Sequence, residues 1–265
     1  MAEGRRERHR LVGNESEGKM IEFDLSGRAG VVTGAGKGIG EAVALELAGL
    51  GAKLVCCART QADLDRVVAK ITAAGGTAIG FAGDVRRFDD MERLAKTCVE
   101  TYGKIDFAVP NAGIDIEGNM CDADPADWQR MIDTNVLGTA YIIRATLPFM
   151  RAQNDGHIVV MASISGRVTY VGEPMYIASK WAIAGMAGAL RKEALAYGVR
   201  VTQIEPGLVD TPMIHSLPEG KADLDKIQAL SPEHIAYAVA YALVQPRVVN
   251  TTQIQILPLD QDYSS

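Results

Sequence analysis

The chain has 265 residues, 48% hydrophobic and 23% charged, with a formal net charge of −6. That is the composition of an ordinary globular protein long enough for a sizeable core, and the negative balance argues against nucleic acid or an anionic membrane as partner. The four cysteines (Cys56, Cys57, Cys98, Cys121) lack C-x-x-C spacing and read as reduced thiols of a cytoplasmic protein, not a disulfide framework or zinc site. No apolar run reaches the length of a membrane span.

Residues 1–19 carry the charged run Gly4-Arg5-Arg6-Glu7-Arg8-His9-Arg10, followed by polar, unpatterned sequence. A secretory signal would need an apolar segment after the arginines. The stretch reads as a disordered extension in front of Met20. From Arg28 onward, short β-branched runs alternate with longer amphipathic stretches. Strands are predicted at Gly30–Thr33, Leu54–Cys57, Thr77–Phe81, Phe107–Val109, His157–Met161, Val201–Ile204 and Gln253–Leu257. Helices are predicted at Ile39–Leu50, Gln61–Ala74, Phe88–Tyr102, Pro125–Arg151, Met175–Tyr197 and Pro232–Val244. This alternation predicts a doubly wound α/β fold, a parallel sheet of about seven strands with helices on both faces. No composition break divides residues 20–265, which read as one domain.

The first strand runs into Thr33-Gly34-Ala35-Gly36-Lys37-Gly38-Ile39-Gly40 and then a helix. Glycines here let the backbone turn tightly and approach a pyrophosphate at the helix N-terminus, where free N–H groups favour anions. A Walker-type loop does not fit, because Lys37 is followed by glycine and the required earlier glycine falls on Val31. Farther on, Tyr176 and Lys180 stand four residues apart, one helical turn from each other. An ammonium beside a phenol favours the phenolate, which turns the tyrosine into a proton shuttle. Ser163 and Ser165 both follow the fifth strand, and the local sequence does not choose between them. The four histidines share no ligand spacing, and no metal site is expected.

Taken together, T-G-x-x-x-G-x-G at Thr33 to Gly40, Asn111-Ala112-Gly113, a serine thirteen residues before Tyr176-x-x-x-Lys180, and Pro206-Gly207 resemble the short-chain dehydrogenase/reductase family over residues 24–257. The resemblance implies a Rossmann-type fold and nicotinamide-dependent interconversion of a carbonyl and an alcohol. By the family's spacing, Tyr176 is the acid/base, Lys180 its electrostatic partner and ribose contact, and Ser163 the donor to the reacting oxygen. Asn135 matches the asparagine that supports a water link from the lysine. The same matching gives cofactor contacts at Gly34, Gly36, Lys37, Gly38, Ile39 and Gly40, at Asp84 and Val85 beside the adenine, and at Asn111, Ala112 and Gly113. Pro206 and Gly207 match the cofactor-site motif after the sixth strand, and Val209 and Thr211 match the residues holding the carboxamide.

At the end of the second strand, Ala58 occupies the position where NAD-type members carry aspartate, and Arg59 follows it. An acid there would bind the ribose hydroxyls of NAD, whereas Arg59 with Lys37 suits a 2′-phosphate. The implied cofactor is NADP(H). Segments 114–120, 165–174 and the stretch after Thr211 should form the substrate walls, with residues 212–229 as a lid. The stretch Val201–Leu208 is similar to the branch acting on serine and small 3-hydroxy acids, although Arg167 is the sole arginine in the expected walls. A small carbonyl or hydroxy compound is therefore expected. A carrier-bound 3-oxoacyl thioester reductase and a non-catalytic NADP-binding regulator are the alternatives. Small residues on the two longest helices would permit the close pairing by which family members form homodimers or homotetramers.

Overall fold

The computed structural model describes residues 23–262, so the predicted extension at residues 1–19 lies outside the described residues. The chain runs β1 (Ala29–Thr33), α1 (Gly38–Gly49), β2 (Lys53–Ala58), α2 (Gln61–Ala73), β3 (Thr77–Ala82), α3 (Phe88–Tyr102) and β4 (Phe107–Val109). It continues α4 (Pro125–Met131), α5 (Gly138–Gln153), β5 (Gly156–Met161), α6 (Pro174–Ala194) and β6 (Val199–Pro206). Last come α7 (Pro212–His215), α8 (Pro218–Leu224), α9 (Pro232–Val244) and β7 (Gln253–Ile256).

All seven strands join one sheet in the order β3-β2-β1-β4-β5-β6-β7, and every pairing is parallel. This is the doubly wound sheet expected from strand–helix alternation. Consecutive strand residues point to opposite faces, so neighbours in sequence enter different cores. Val32, Leu54, Cys56 and Phe107 pack under α1, α2 and α9, while Val31, Val55, Cys57 and Ala108 pack under α3, α5 and α6. Each valine, leucine or phenylalanine among them, fully buried, contributes about 1.5–3 kcal/mol. Both faces are covered, which is why these strands read as continuous apolar runs rather than alternating ones. Strand order reverses between β1 and β4. The crevice outside their carboxyl ends is the place where such sheets bind ligands.

Three elements differ from the sequence expectation. The helix predicted over Pro125–Arg151 is two helices joined by a π-helical turn at Ile132–Leu137. One extra residue in that turn brings Asn135 into the interior, where it is 1% exposed. The helix predicted to Tyr197 gives way to a tight 3₁₀ turn over Leu195–Tyr197. The stretch after Thr211 contains α7 and α8, each started by a proline at its first turn, where the missing N–H costs nothing.

Candidate active site

A cavity of about 580 Å³ opens at the carboxyl ends of the strands. Of the candidate catalytic and cofactor residues, Asn135 alone is absent from its lining; the glycine loop, Ala58, Arg59, Asp84, Val85, Asn111–Gly113, Ser163, Tyr176, Lys180, Pro206, Gly207, Val209 and Thr211 all contribute. Of the expected substrate walls, Ile114, Asp115 and residues 212–214 and 216 line it, whereas 165–174 contributes nothing. The fold thus brings together side chains that the sequence separates by more than a hundred positions.

At the glycine-loop end, Gly34 adopts φ +66°, a left-handed conformation natural to glycine. A Cβ on Gly40 would stand 2.1 Å from the Gly34 carbonyl oxygen. No side chain fits there, and the loop lies flat against the start of α1. Thr33 ties this loop to the next strand: its Oγ1 accepts from the backbone N–H groups of Asn111 at 3.0 Å and Ala112 at 3.1 Å. Asn111 Nδ2 in return donates to the Thr33 carbonyl at 2.9 Å. Arg66 on α2 braces the loop from outside, donating to the Gly36 carbonyl at 2.7 Å. It also pairs with Glu41, whose carboxyl this contact holds below its usual range against the opposing effect of burial.

The charges at this end are partly paired. Lys37 Nζ lies 3.8 Å from Asp63 Oδ2, an exposed contact of small energy. Arg86 forks onto Asp84, with its Nη2 2.5 Å from Oδ2, and this contact holds the Asp84 carboxyl below its usual range. Asp63, Arg66 and Arg86 have no motif of their own in the sequence, and only the packing of α2 and the turn after β3 brings them to the loop.

At the tyrosine end, α6 carries Tyr176 and Lys180 on one face, with Lys180 Nζ 5.5 Å from the Tyr176 ring centroid. Lys180 is 8% exposed and donates to the Ala162 carbonyl at 3.1 Å. Burial pushes its ammonium down to about 8, and the charge of Asp115 acts in the opposite direction. Asn135 uses its carboxamide as a clamp: Oδ1 accepts from Ile114 N–H at 2.8 Å, and Nδ2 donates to the Ile114 carbonyl at 2.9 Å. Nδ2 also donates to Ser179 Oγ at 3.1 Å, and Ser179 Oγ donates to the Tyr176 carbonyl at 2.7 Å. Asn135 therefore fixes the loop after β4 to α6, with both of its amide hydrogens engaged.

Ser163 and Ser165, equal in local sequence, differ in place. Ser163 lines the cavity; Ser165 lies behind it and accepts a bond from Ser163 Oγ at 3.2 Å. Ser165 Oγ is 2.8 Å from the Tyr170 hydroxyl, which donates to Glu173 Oε2 at 2.8 Å. Each hydroxyl has one proton. Since Tyr170 gives its proton to Glu173, Ser165 donates to Tyr170 and Ser163 to Ser165. Arg167 is consumed elsewhere: its Nε and Nη2 donate to Glu205 Oε1 at 2.9 and 2.7 Å, and Gln253 Nε2 donates to Glu205 Oε2. Glu205 is fully buried, and Arg167 balances its charge.

A parallel doubly wound sheet, a glycine loop at its switch point and a Tyr–Lys pair across the same cavity define the dinucleotide-dependent oxidoreductases of the Rossmann class. Within that class, the family model for short chain dehydrogenases matches residues 28–222. An uncharacterized oxidoreductase of Listeria innocua is 36% identical over 195 residues, 73% of this chain and 79% of the relative. One from Staphylococcus saprophyticus is 38% identical over 191 residues, covering 72% and 82%. Among solved structures, a short-chain type dehydrogenase/reductase from Mycobacterium marinum matches with TM-score 0.83 and 31% identity over 88% of this chain and 95% of that one. A metagenomic short-chain oxidoreductase in complex with NADP matches with TM-score 0.78 and 31% identity over 89% and 99%. The chain belongs to the short-chain dehydrogenase/reductase family, whose members use NAD(P).

Proposed function

We propose that the protein is an NADP(H)-dependent oxidoreductase that interconverts a small carbonyl compound and its alcohol, with Tyr176 as acid/base. The observation that carries this reading is the convergence of Ser163, from the turn after β5, and Tyr176 and Lys180, from α6, on the cavity that the glycine loop and Arg59 also line. The dinucleotide fits that lining, because Gly34, Gly36 and Gly38 put bare backbone on the cavity at the N-terminus of α1, where N–H groups favour pyrophosphate. Gly40 lets the loop lie against α1, since a Cβ there would stand 2.1 Å from the Gly34 carbonyl oxygen.

When bound, the nicotinamide supplies or takes up the hydride. The protein's own residues place the substrate and move the proton. Tyr176 gives its phenolic proton to the carbonyl oxygen in reduction and receives it from the alcohol in oxidation. Lys180 lowers the cost of the phenolate and remains in place through its bond to Ala162. Ser163 donates to the reacting oxygen, for which it must turn its proton from Ser165 toward the cavity. Asn135 acts from behind, holding the Ile114 backbone against α6.

Cofactor choice rests on β2. Neutral Ala58 leaves no acid for the ribose hydroxyls, and Arg59 and Lys37 present cations to a 2′-phosphate; the NADP in the metagenomic relative agrees. Asp63 draws on Lys37, so Arg59 carries the larger share. The segment at 212–229 serves as a lid that α7 and α8 stiffen, touching the opposite wall through Gly220 N–H to Glu117 Oε1 at 3.1 Å. The exposed side of α6, with Trp181 and an unobstructed Gly185, suits pairing into a homodimer or homotetramer. Among the described residues no helix is long and apolar enough to cross a membrane, and the buried reduced cysteines fit a cytoplasmic location.

The test is Tyr176→Phe, which removes only the transferable proton. Turnover should vanish while NADPH binding, followed by fluorescence titration, stays nearly unchanged. Near-normal turnover would overturn the mechanism.

A further inference from the structure

We infer that Asp115 selects the substrate: the protein acts on carbonyl compounds that carry a hydrogen-bond donor, hydroxyl or ammonium, close to the reacting carbon, and disfavours those carrying a carboxylate there. This inference rests on the oxidoreductase reading above and names the substrate class of the same site.

The charge map of the cavity carries the argument. Of its charged lining residues, Lys37, Arg59, Asp63, Asp84 and Arg86 lie at the glycine-loop end; at the tyrosine end the lining holds Lys180 and Asp115. Lys180 is committed to the catalytic pair. Asp115 follows Ile114, the residue whose N–H and carbonyl Asn135 grips, so its position is fixed relative to α6. Ile116 makes a backbone contact to the Asp115 carboxyl, but its Oδ1 is buried and has no hydrogen-bond partner among the described residues. A buried carboxyl oxygen left unpaired is costly, and at the wall of a catalytic cavity a substrate donor can relieve that cost.

The surroundings point the same way. Asp115 shares the cavity wall with its neighbour Ile114, and the charges of Glu173, Lys180 and Glu117 act on it; a few placed polar groups of this kind fix a ligand's orientation. Burial is the main cause that raises the Asp115 carboxyl to about 8; the charges of Glu173 and Glu117 add to it, and Lys180 and a backbone contact from Ile116 oppose it. The carboxyl thus carries little charge near neutrality, its Oδ1 can still accept from a donor, and an anion beside it meets the charge of Glu173. The arginine that would offset it, Arg167, is bound to Glu205. The Ser163–Ser165–Tyr170–Glu173 chain also directs its protons away from the cavity. The resting wall offers acceptors, and a donor-bearing substrate complements it.

Two matched ketone series test this: hydroxyacetone, butanone and pyruvate, and their phenyl counterparts phenacyl alcohol, propiophenone and benzoylformate. Hydroxyl and methyl are near-isosteric, so shape is held constant. Each compound is measured by turnover with the wild-type protein and NADPH, and by quenching of NADPH fluorescence in the protein–cofactor complex. The hydroxy compound should exceed both its methyl and carboxylate partners in kcat/KM by about tenfold, the worth of one good hydrogen bond. Asp115→Ala should abolish that preference. Asp115→Asn, which keeps an acceptor oxygen, should retain it for hydroxyl and lose it for aminoacetone. Preference for the carboxylate, or an unchanged ratio in Asp115→Ala, overturns the inference while leaving the oxidoreductase reading intact. Binding preference without turnover of any ketone sustains the inference and overturns that reading.

Discussion

The two ends of the cavity are built on opposite physical plans. The glycine-loop end is made of backbone, with N–H groups at a helix start, a loop flattened by missing side chains, and cations near the surface. Its charges are exposed and screened, and they cost little to hold in place. The tyrosine end is made of side chains taken out of water. Lys180 is buried, Asp115 has an unpaired carboxyl oxygen, and Asn135 has spent its amide hydrogens on positioning. One end has a backbone frame written in local sequence, to which folding adds Arg59, Arg66 and Arg86; the other exists only after folding and carries an energetic cost. Binding is cheap here and chemistry is not.

The largest effect should come from breaking the backbone end. Gly40→Val places atoms where the Gly34 carbonyl stands, so the loop must move and measurable NADPH binding should be lost, as read by fluorescence titration. The fold should persist by circular dichroism, because the clash is with the Gly34 backbone and the Asn111 side chain at the cavity, outside both apolar cores. Retained tight binding would show that the glycine cradle is not the phosphate seat.

A smaller, reciprocal effect should come from changing its charges alone. Ala58→Asp combined with Arg59→Ile adds an acceptor for ribose hydroxyls and removes a phosphate partner. Each charge-assisted contact is worth about 1.5–3 kcal/mol, so the ratio of kcat/KM for NADPH over NADH should fall by at least about tenfold. Tyr176 chemistry should be untouched, with kcat on the better cofactor within a few-fold of the unmodified protein.

The tyrosine end should respond in stability as well. Asp115 has a carboxyl raised from an ordinary 3.8 to about 8, burial being the main cause. A group raised on folding gives its full stability below its unfolded value and loses it as pH climbs through the folded one. Asp115→Asn should therefore be more stable than the unmodified protein near neutrality, with Tm higher by a few degrees. The gap should widen between about pH 5 and pH 8. A Tm gap that narrows over that interval would mean the carboxyl is ionised and well solvated.

The same contrast explains what could be read in the sequence. Strand–helix alternation gave all seven strands because both faces of the sheet are covered and each strand is a plain apolar run. Thr33–Gly40 could be read because its requirement, no side chain near a turning backbone, is local. The π-helical turn at Asn135 could not, since one extra residue per turn leaves the apolar pattern of Pro125–Arg151 looking continuous. Asp115, Tyr170 and Glu173 were hidden for another reason. Nothing in Gly113-Ile114-Asp115 says that its carboxyl will face a buried lysine, because that depends on Asn135 gripping Ile114 from twenty-one positions away. Likewise Arg167 looked available in sequence, and only the buried Glu205 on β6 shows that it is spent.

An NADP(H)-dependent carbonyl–alcohol oxidoreductase whose cofactor end selects by exposed cations should reveal itself in one comparison: kcat/KM of the unmodified protein with NADPH and with NADH, on one ketone, at low and at high salt. NADPH should be preferred by at least about tenfold, and the preference should shrink as salt screens Arg59 and Lys37. Equal or better efficiency with NADH at low salt would contradict the account.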